Sequence, residues 1–280
     1  MKKDLNIIIE NKLTDSQKKN LKKNMNCTCI FLDTMISIRN ATFEEEEIFI
    51  SRLKEICDYK IDYDHEVLEL EDLDKYEYFY ASGQCNGSPD TLINLCEWPL
   101  ELNANPSFDY SNYCTVCKRG LAQIAPLKIK GLTTKHFNKK LVTPFWTYWI
   151  INKEFKDAIN KSNLSGIEIL PLYNYKNEEI QTNMQLKPTK VLKSTICSEA
   201  FNIVHDDKCT CNNFMYGIKG KSIKLKKEIK NYLLDFNELE EHNLSRENGM
   251  YIISKKMLNV MVNNGIKPNI DIEFIPVEFE

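Results

Sequence analysis

Two stretches of the chain repeat the same pattern. Ile150-Ile-Asn-Lys-Glu-Phe-Lys-Asp-Ala-Ile-Asn lines up with Ile252-Ile-Ser-Lys-Lys-Met-Leu-Asn-Val-Met-Val. Ile167-Glu-Ile-Leu-Pro-Leu172 lines up with Ile272-Glu-Phe-Ile-Pro-Val277, after a loop three residues longer in the second copy. Each copy reads as a β-branched strand, a polar N-cap (Asn152 or Ser254), an apolar-periodic helix, and a strand that ends near proline. The caps belong there because their side-chain oxygens accept hydrogen bonds from helix amides that have no partner within the helix. A β-α-β unit has to bury one stripe of its helix on a sheet, which constrains this half of the chain to layered α/β structure. The two units span 145–173 and 248–279. Two copies are too few for a solenoid, so the match reflects internal duplication or convergent packing of two similar β-α-β layers.

Ahead of each unit lies a cysteine cluster, Cys114-Thr-Val-Cys117 and Cys209-Thr-Cys211. Cys-x-x-Cys places two sulfurs on one tight turn, the geometry of a zinc knuckle, with the metal about 2.3 Å from each thiolate. A closed structural site needs four ligands, and Cys209 and Cys211 are the best further donors. The expected metal ligands are therefore Cys114, Cys117, Cys209 and Cys211 around one structural zinc ion. Cys197 or His205 could replace one of them. A thioredoxin-like redox pair, or cysteines serving only as core residues, are the other readings. Cys57, Cys85 and Cys96 read as buried thiols. Cys27 and Cys29 form another Cys-x-Cys, with Cys29 read as strand core.

The N-terminal part reads as a separate α/β subdomain, residues 1–82. Residues 5–10 form an apolar strand. Thr14-Asp-Ser-Gln17 and Thr42-Phe-Glu-Glu45 are capping boxes, the first opening a helix to about Lys23. Cys29 to Ile38 reads as one central strand. Glu44 to Glu47 crowd the first turn of the second helix, where the helix dipole favours acids. Phe43, Ile48, Phe49, Leu53 and Ile56 lie mostly on one helical face. Val67 to Leu70 and Tyr76 to Tyr80 read as strands, completing β-α-β-α-β. Residues 83–112, punctuated by Gly, Pro, Asn and Ser, read as an irregular linker. Phe145 to Ile151, aromatic and β-branched, reads as a strand of the 113–280 domain. Residues 218–230 fit helix or strand equally well.

Charge is unevenly spread. The whole chain carries 40 acids and 37 basic residues, a net charge of −3, which argues against bulk attraction to nucleic acid or membrane. Residues 43–77 hold fourteen acids against Arg52, Lys54, Lys60 and Lys75. Such a run is a solvated face or an acidic docking surface for a basic partner. Residues 118–161 are basic, with ten Lys and Arg against two acids. The N-terminal apolar run Ile7-Ile-Ile9 is too short for a signal-peptide core, and no apolar stretch approaches the roughly 20 residues of a membrane span. A cytoplasmic location and reduced cysteines are expected.

No catalytic constellation stands out. His65, His136, His205 and His242 form no His-Glu-x-x-His pattern, and neither a Gly-x-Ser-x-Gly elbow nor a phosphate-cradling glycine loop occurs. His65 reads as an exposed strand residue and Glu240-Glu-His242 as part of a solvated helical run.

Cys114, Cys117, Gly120, Trp146, Ile150-Ile151, Leu164-Ser-Gly166, Pro171 and the Cys209/Cys211 cluster together resemble the bacterial double-CxxCG-motif family over roughly residues 113–217. The C-terminal copy is similar to a related immunity-protein domain of bacterial toxin systems. The first motif here reads Cys-Thr-Val-Cys-Lys-Arg-Gly and the second Cys-Thr-Cys-Asn, both departures from a regular CxxCG. The resemblance implies an immunity role: binding and neutralising a cognate toxin. The expected protein is thus α/β, or α+β, with a small N-terminal subdomain and a larger domain holding two β-α-β units and a zinc-ribbon-like knuckle. Its expected function is non-enzymatic binding of a toxin, with the acidic run 43–77 as a contact surface. The alternatives are a zinc-dependent hydrolase or nucleic-acid-modifying enzyme, which needs an open metal position, and a zinc-ribbon nucleic-acid binder using Lys219 to Lys230.

Overall fold

The computed structural model describes residues 2–31, 34–67, 70–83, 106–114, 116, 122–129, 139–143, 148–174, 176–193, 195–197, 201–204, 211, 215–218, 222–242, 249–268 and 271–280. The protein is mixed α/β and divides into two compact units, Met1–Lys75 and Tyr76–Glu280.

The first unit contains β1 (Lys2–Ile9), α1 (Asp15–Lys22), β2 (Thr28–Phe31), β3 (Met35–Thr42), α2 (Phe43–Lys54), β4 (Tyr59–Val67) and a single turn α3 (Leu70–Leu73). Its strands make one antiparallel sheet in the order β2-β3-β1-β4. Strand periodicity sets the core: Leu5, Ile7 and Ile9 of β1 are buried, whereas Ile8 between them is 41% exposed. Phe49 and Leu53 of α2, one helical turn apart, complete that core with Leu21 of α1. Both expected capping boxes form. Thr14 Oγ1 accepts from Gln17 N–H at 3.3 Å, and Thr42 Oγ1 accepts from Glu45 N–H at 3.2 Å. The Arg52 guanidinium of α2 donates to the carbonyls of Asn20, Leu21 and Lys23 at the end of α1, adding to the Lys23 N–H that Asn20 O already accepts.

Three expectations for this region need correction. Cys29 to Ile38 is not one strand but the paired strands β2 and β3. The polar Asp33-Thr34 interrupts the apolar run, and Cys29 lies opposite Ile38. Val67 closes β4, and Leu70 belongs to α3 rather than to a strand. The expected strand from Tyr76 to Tyr80 is displaced to β5 (Tyr78–Gly83) and pairs within the second unit. Phe79, Tyr80 and Ala81 are all buried, as expected for a central strand with neighbours on both sides.

After β5 the second unit continues with β6 (Phe108–Asp109), β7 (Ala122–Gln123), β8 (Lys128–Ile129), β9 (Leu141–Val142), β10 (Trp149–Asn152), α4 (Lys153–Lys161), β11 (Ile167–Asn174) and β12 (Glu179–Pro188). It then runs through β13 (Val191–Leu192), β14 (Phe201–Val204), β15 (Met215–Ile218), β16 (Ile223–Leu225), a 3-10 turn at Lys227–Tyr232, β17 (Phe236–His242), β18 (Gly249–Ser254), α5 (Lys255–Asn263) and β19 (Ile272–Phe279). Two larger sheets form, β8-β11-β12-β10-β9 and β13-β17-β18-β5-β19-β16. The pairs β6-β7 and β14-β15 make two short ribbons.

Both repeat helices start as the sequence expects. Asn152 Oδ1 accepts from Phe155 N–H at 2.9 Å, and Ser254 Oγ accepts from Met257 N–H at 3.1 Å. Helix α5 ends in a Schellman turn, with Gly265 N–H on Val262 O and Ile266 N–H on Met261 O. At the centre, the Trp149 ring stacks on Phe236 at 4.9 Å and meets Tyr251 edge-on at 5.7 Å. Of the expected aromatic strand, only Trp149 to Ile151 is described as strand; Phe145 and Trp146 lie outside the described residues. So does most of the expected linker 83–112. The ambiguous stretch 218–230 resolves into the end of β15, then β16, then the start of the 3-10 turn.

Candidate functional site

The ribbon β6-β7 pairs Phe108 with Gln123 and Asp109 with Ala122, so it brackets the chain segment holding Cys114 and Cys117. Two local turns lead to Cys114. The Asp109 carboxylate accepts from Ser111 N–H and Oγ–H, both at 2.9 Å, and these bonds hold its pKa below the ordinary value. Tyr113 N–H then donates to Tyr110 O at 3.0 Å. The ribbon β14-β15 brackets Cys209 and Cys211 in the same way.

Cys114 and Cys211 are half-buried thiols. Cys117, Cys209 and His205 lie outside the described residues, as do Cys85, Cys96 and His136. Among the described residues no three His, Cys, Asp or Glu side chains gather closely enough to hold a metal ion. Cys197 is half-buried beside β16, its N–H donating to Lys224 O at 3.1 Å. Burial first, and then the Glu280 carboxylate, push its thiol pKa up.

A second thiol pair lies in the N-terminal unit. Cys27 Sγ and Cys29 Sγ are 3.8 Å apart, with Cys29 buried as expected of strand core. The hydrogen bond between them pushes Cys27 far above the ordinary thiol value and, with Lys22 nearby, holds Cys29 below it. The Cys-x-Cys spacing marked this pair in the sequence, but its direct contact follows from the chain's approach to β2.

The acidic run divides by task. Glu45 turns inward: its carboxylate accepts from the backbone N–H groups of Asn26 at 2.6 Å, Cys27 at 3.1 Å and Thr42 at 2.9 Å. Glu44, Glu47, Glu55 and Asp58 are exposed. On the turns of α2, Phe43, Glu44, Glu47, Ile48, Ser51 and Glu55 share one outward side, opposite buried Phe49 and Leu53. Phe43 is 42% exposed and Ile48 36%, against the expectation that both join the core face. Helix α2 therefore presents large apolar side chains among carboxylates.

An open cleft of about 410 Å³ lies along α4 and the start of β11, lined by Lys156, Ile159, Asn160, Asn163, Leu164, Ile167 and Ile169. The lining holds one amine and no carboxylate, imidazole or thiol, so it contains no acid-base pair. His242 belongs to strand β17, correcting the helical reading of 240–242. No helix among the described residues is long and apolar enough to cross a membrane. Neither a protein family nor an individual characterised protein is matched by the chain's sequence.

Proposed function

We propose that this chain is a non-enzymatic, cytoplasmic binding protein of the immunity type, which neutralises a cognate toxin by covering it, and that one structural zinc ion on Cys114, Cys117, Cys209 and Cys211 braces its larger unit. The observation that carries the reading is the outward side of α2. Exposed Phe43 and Ile48 supply area whose burial favours association, and the flanking Glu44, Glu47 and Glu55 favour a basic partner. Carboxylates around an apolar centre speed encounter with a basic surface and discriminate against acidic ones. The resemblance to the double-CxxCG family supplies the class of partner.

The test is growth rescue and direct binding against a toxin encoded beside this chain's gene. The parent protein rescues growth and binds. Glu44→Lys with Glu47→Lys abolishes rescue while leaving the circular dichroism unchanged, because both side chains are exposed. Rescue that survives this reversal together with Phe43→Ser and Ile48→Ser removes α2 from the interface. A neighbour that the parent neither binds nor neutralises removes the immunity reading. Metal analysis of the purified protein is expected to find about one zinc ion per chain, lost in Cys114→Ser and in Cys209→Ser. Unchanged zinc in either variant removes that ligand.

A further inference from the structure

We infer that the second unit is two tandem copies of one module, residues 78–174 and 179–279, which have exchanged their first strands. The sheet β8-β11-β12-β10-β9 matches five strands of the other sheet, β16-β19-β5-β18-β17, place by place, and β13 lies beyond β17, parallel to it. The directions match as well: β8 is parallel to β11 and β16 to β19, and every other neighbouring pair within the matched strands is antiparallel. In chain order each module runs from its first strand (β5 or β12, the latter followed by the short β13) through a cysteine-bearing ribbon to three strands, a helix and a last strand. The central place in each sheet is filled by the other module's first strand.

Register makes the equivalence specific. Met184 lies opposite Ile151 on one side and Pro171 on the other; Phe79 lies opposite Ile253 and Pro276. Two residues along, Leu186 faces Trp149 and Ile169, and Ala81 faces Tyr251 and Phe274. Both flanks of each inserted strand thus return the same correspondence. At the edges, Lys128 pairs with Tyr173 and Lys224 with Glu278, which aligns Leu127-Lys-Ile129 with Ile223-Lys-Leu225; the four apolar residues are buried. Asn152 N–H donates to Lys140 O at 3.2 Å, as Ser254 N–H donates to Asp235 O at 3.0 Å. The residue following each helix C-cap is left-handed, Asn163 at φ 47° and Gly265 at φ 80°.

The exchange is reciprocal. Beyond β12 the chain crosses to the other sheet, where Glu238 N–H donates to Lys190 O at 3.1 Å. At the end of β5, a Cβ on Gly83 would lie 2.2 Å from Thr143, the register counterpart of Glu238. The counterparts Trp149 and Tyr251 pack against each other, as residues beside a pseudo-two-fold axis do. Split β-α-β units are common, so convergence explains the caps and the crossovers. It does not explain a matched register on both sides of strands delivered from the opposite module. The unit is the single-chain counterpart of a strand-swapped homodimer, and its two cysteine ribbons are counterparts, one per module.

The test uses the full chain with a protease site inserted in the turn at 176–178, which separates the modules. Residues directly opposite on antiparallel strands lie roughly 4.5–5.5 Å apart, within disulfide reach. Ser82 lies opposite Glu273, and Lys187 opposite Glu168. Ser82→Cys with Glu273→Cys, and Lys187→Cys with Glu168→Cys, each place a disulfide across the cut. After mild oxidation and cleavage, both pairs are expected to keep the fragments joined on a non-reducing denaturing gel, while the cleaved parent separates. Ser82→Cys with Glu168→Cys, and Lys187→Cys with Glu273→Cys, link residues within one fragment and serve as the unexchanged controls. Fragments that separate in the first two variants overturn the proposal, as do linked 82–168 or 187–273 peptides in the controls by mass spectrometry.

Discussion

Glu45 holds three backbone amides at once, capping α2 and fastening the approach to β2. The Thr42 backbone hydrogen bond is the main cause of its depressed pKa, with those from Asn26 and Cys27 adding to it against a partial desolvation. A carboxylate whose folded-state pKa is depressed stabilises fully above its unfolded value, here 4.5, and loses that contribution as pH falls through the folded value. Glu45→Ala is expected to cost about 1 kcal/mol at pH 7, the scale of a lost cap. The gap between parent and variant in thermal melts should narrow as the pH is lowered; a gap that persists at pH 2 contradicts it. Two left-handed glycines separate backbone cost from steric cost. A Cβ at Gly265 (φ 80°) meets nothing within 4 Å, so Gly265→Ala carries only the conformational term of a left-handed L-residue, about 1–2 kcal/mol. At Gly166 (φ 78°) the same atom would lie 2.5 Å from the Phe236 carbonyl oxygen, so Gly166→Ala should be clearly the more destabilising of the two in urea titrations. Equal midpoints would contradict this.

Among the elements, what was legible in the sequence was local. Thr14, Thr42, Asn152 and Ser254 cap the helices they were expected to cap, because a cap and the amide it serves lie within one turn. The partnership of β5 was not legible, since Tyr80 pairs with Ile252 and Ile275, 172 and 195 residues further along the chain, and nothing in Tyr78-Phe-Tyr-Ala names them. Strand β4 was readable and missed: Tyr59, Ile61 and Tyr63 alternate with Lys60, Asp62 and Asp64, a period of two that the acidic composition obscured. The exposure of Phe43 and Ile48 was hidden because helical periodicity marks apolar positions without saying which of them find a partner. The spacing of Cys114, Cys117, Cys209 and Cys211 names a set of donors, but spacing cannot say where two ribbons come to rest. The placement of β5 has a practical consequence. Removing residues 1–75 leaves the second unit's six-stranded sheet intact, whereas removing residues 1–82, the boundary expected from the sequence, takes out a central strand. The shorter deletion should give soluble protein with slow amide exchange in β18 and β19. The longer one should be insoluble or exchange rapidly there, and equal protection in both would contradict the pairing.

Over the whole molecule, the two units differ in how far apart in the chain their contacts are made. Every strand of the first unit pairs within residues 2–67. The second unit joins Tyr80 to Ile252 and Ile275. Pairings between distant segments bear a larger loop-closure entropy and form more slowly. During synthesis the first unit has all its strands as soon as Val67 has left the ribosome. Strand β5 leaves next, with apolar side chains directed to both faces, and waits for nearly the entire remaining chain before β18 and then β19 appear on either side of it. The nascent protein therefore carries an unpaired, two-sided apolar strand for most of its translation, and Tyr78–Gly83 is the segment a chaperone has most reason to hold.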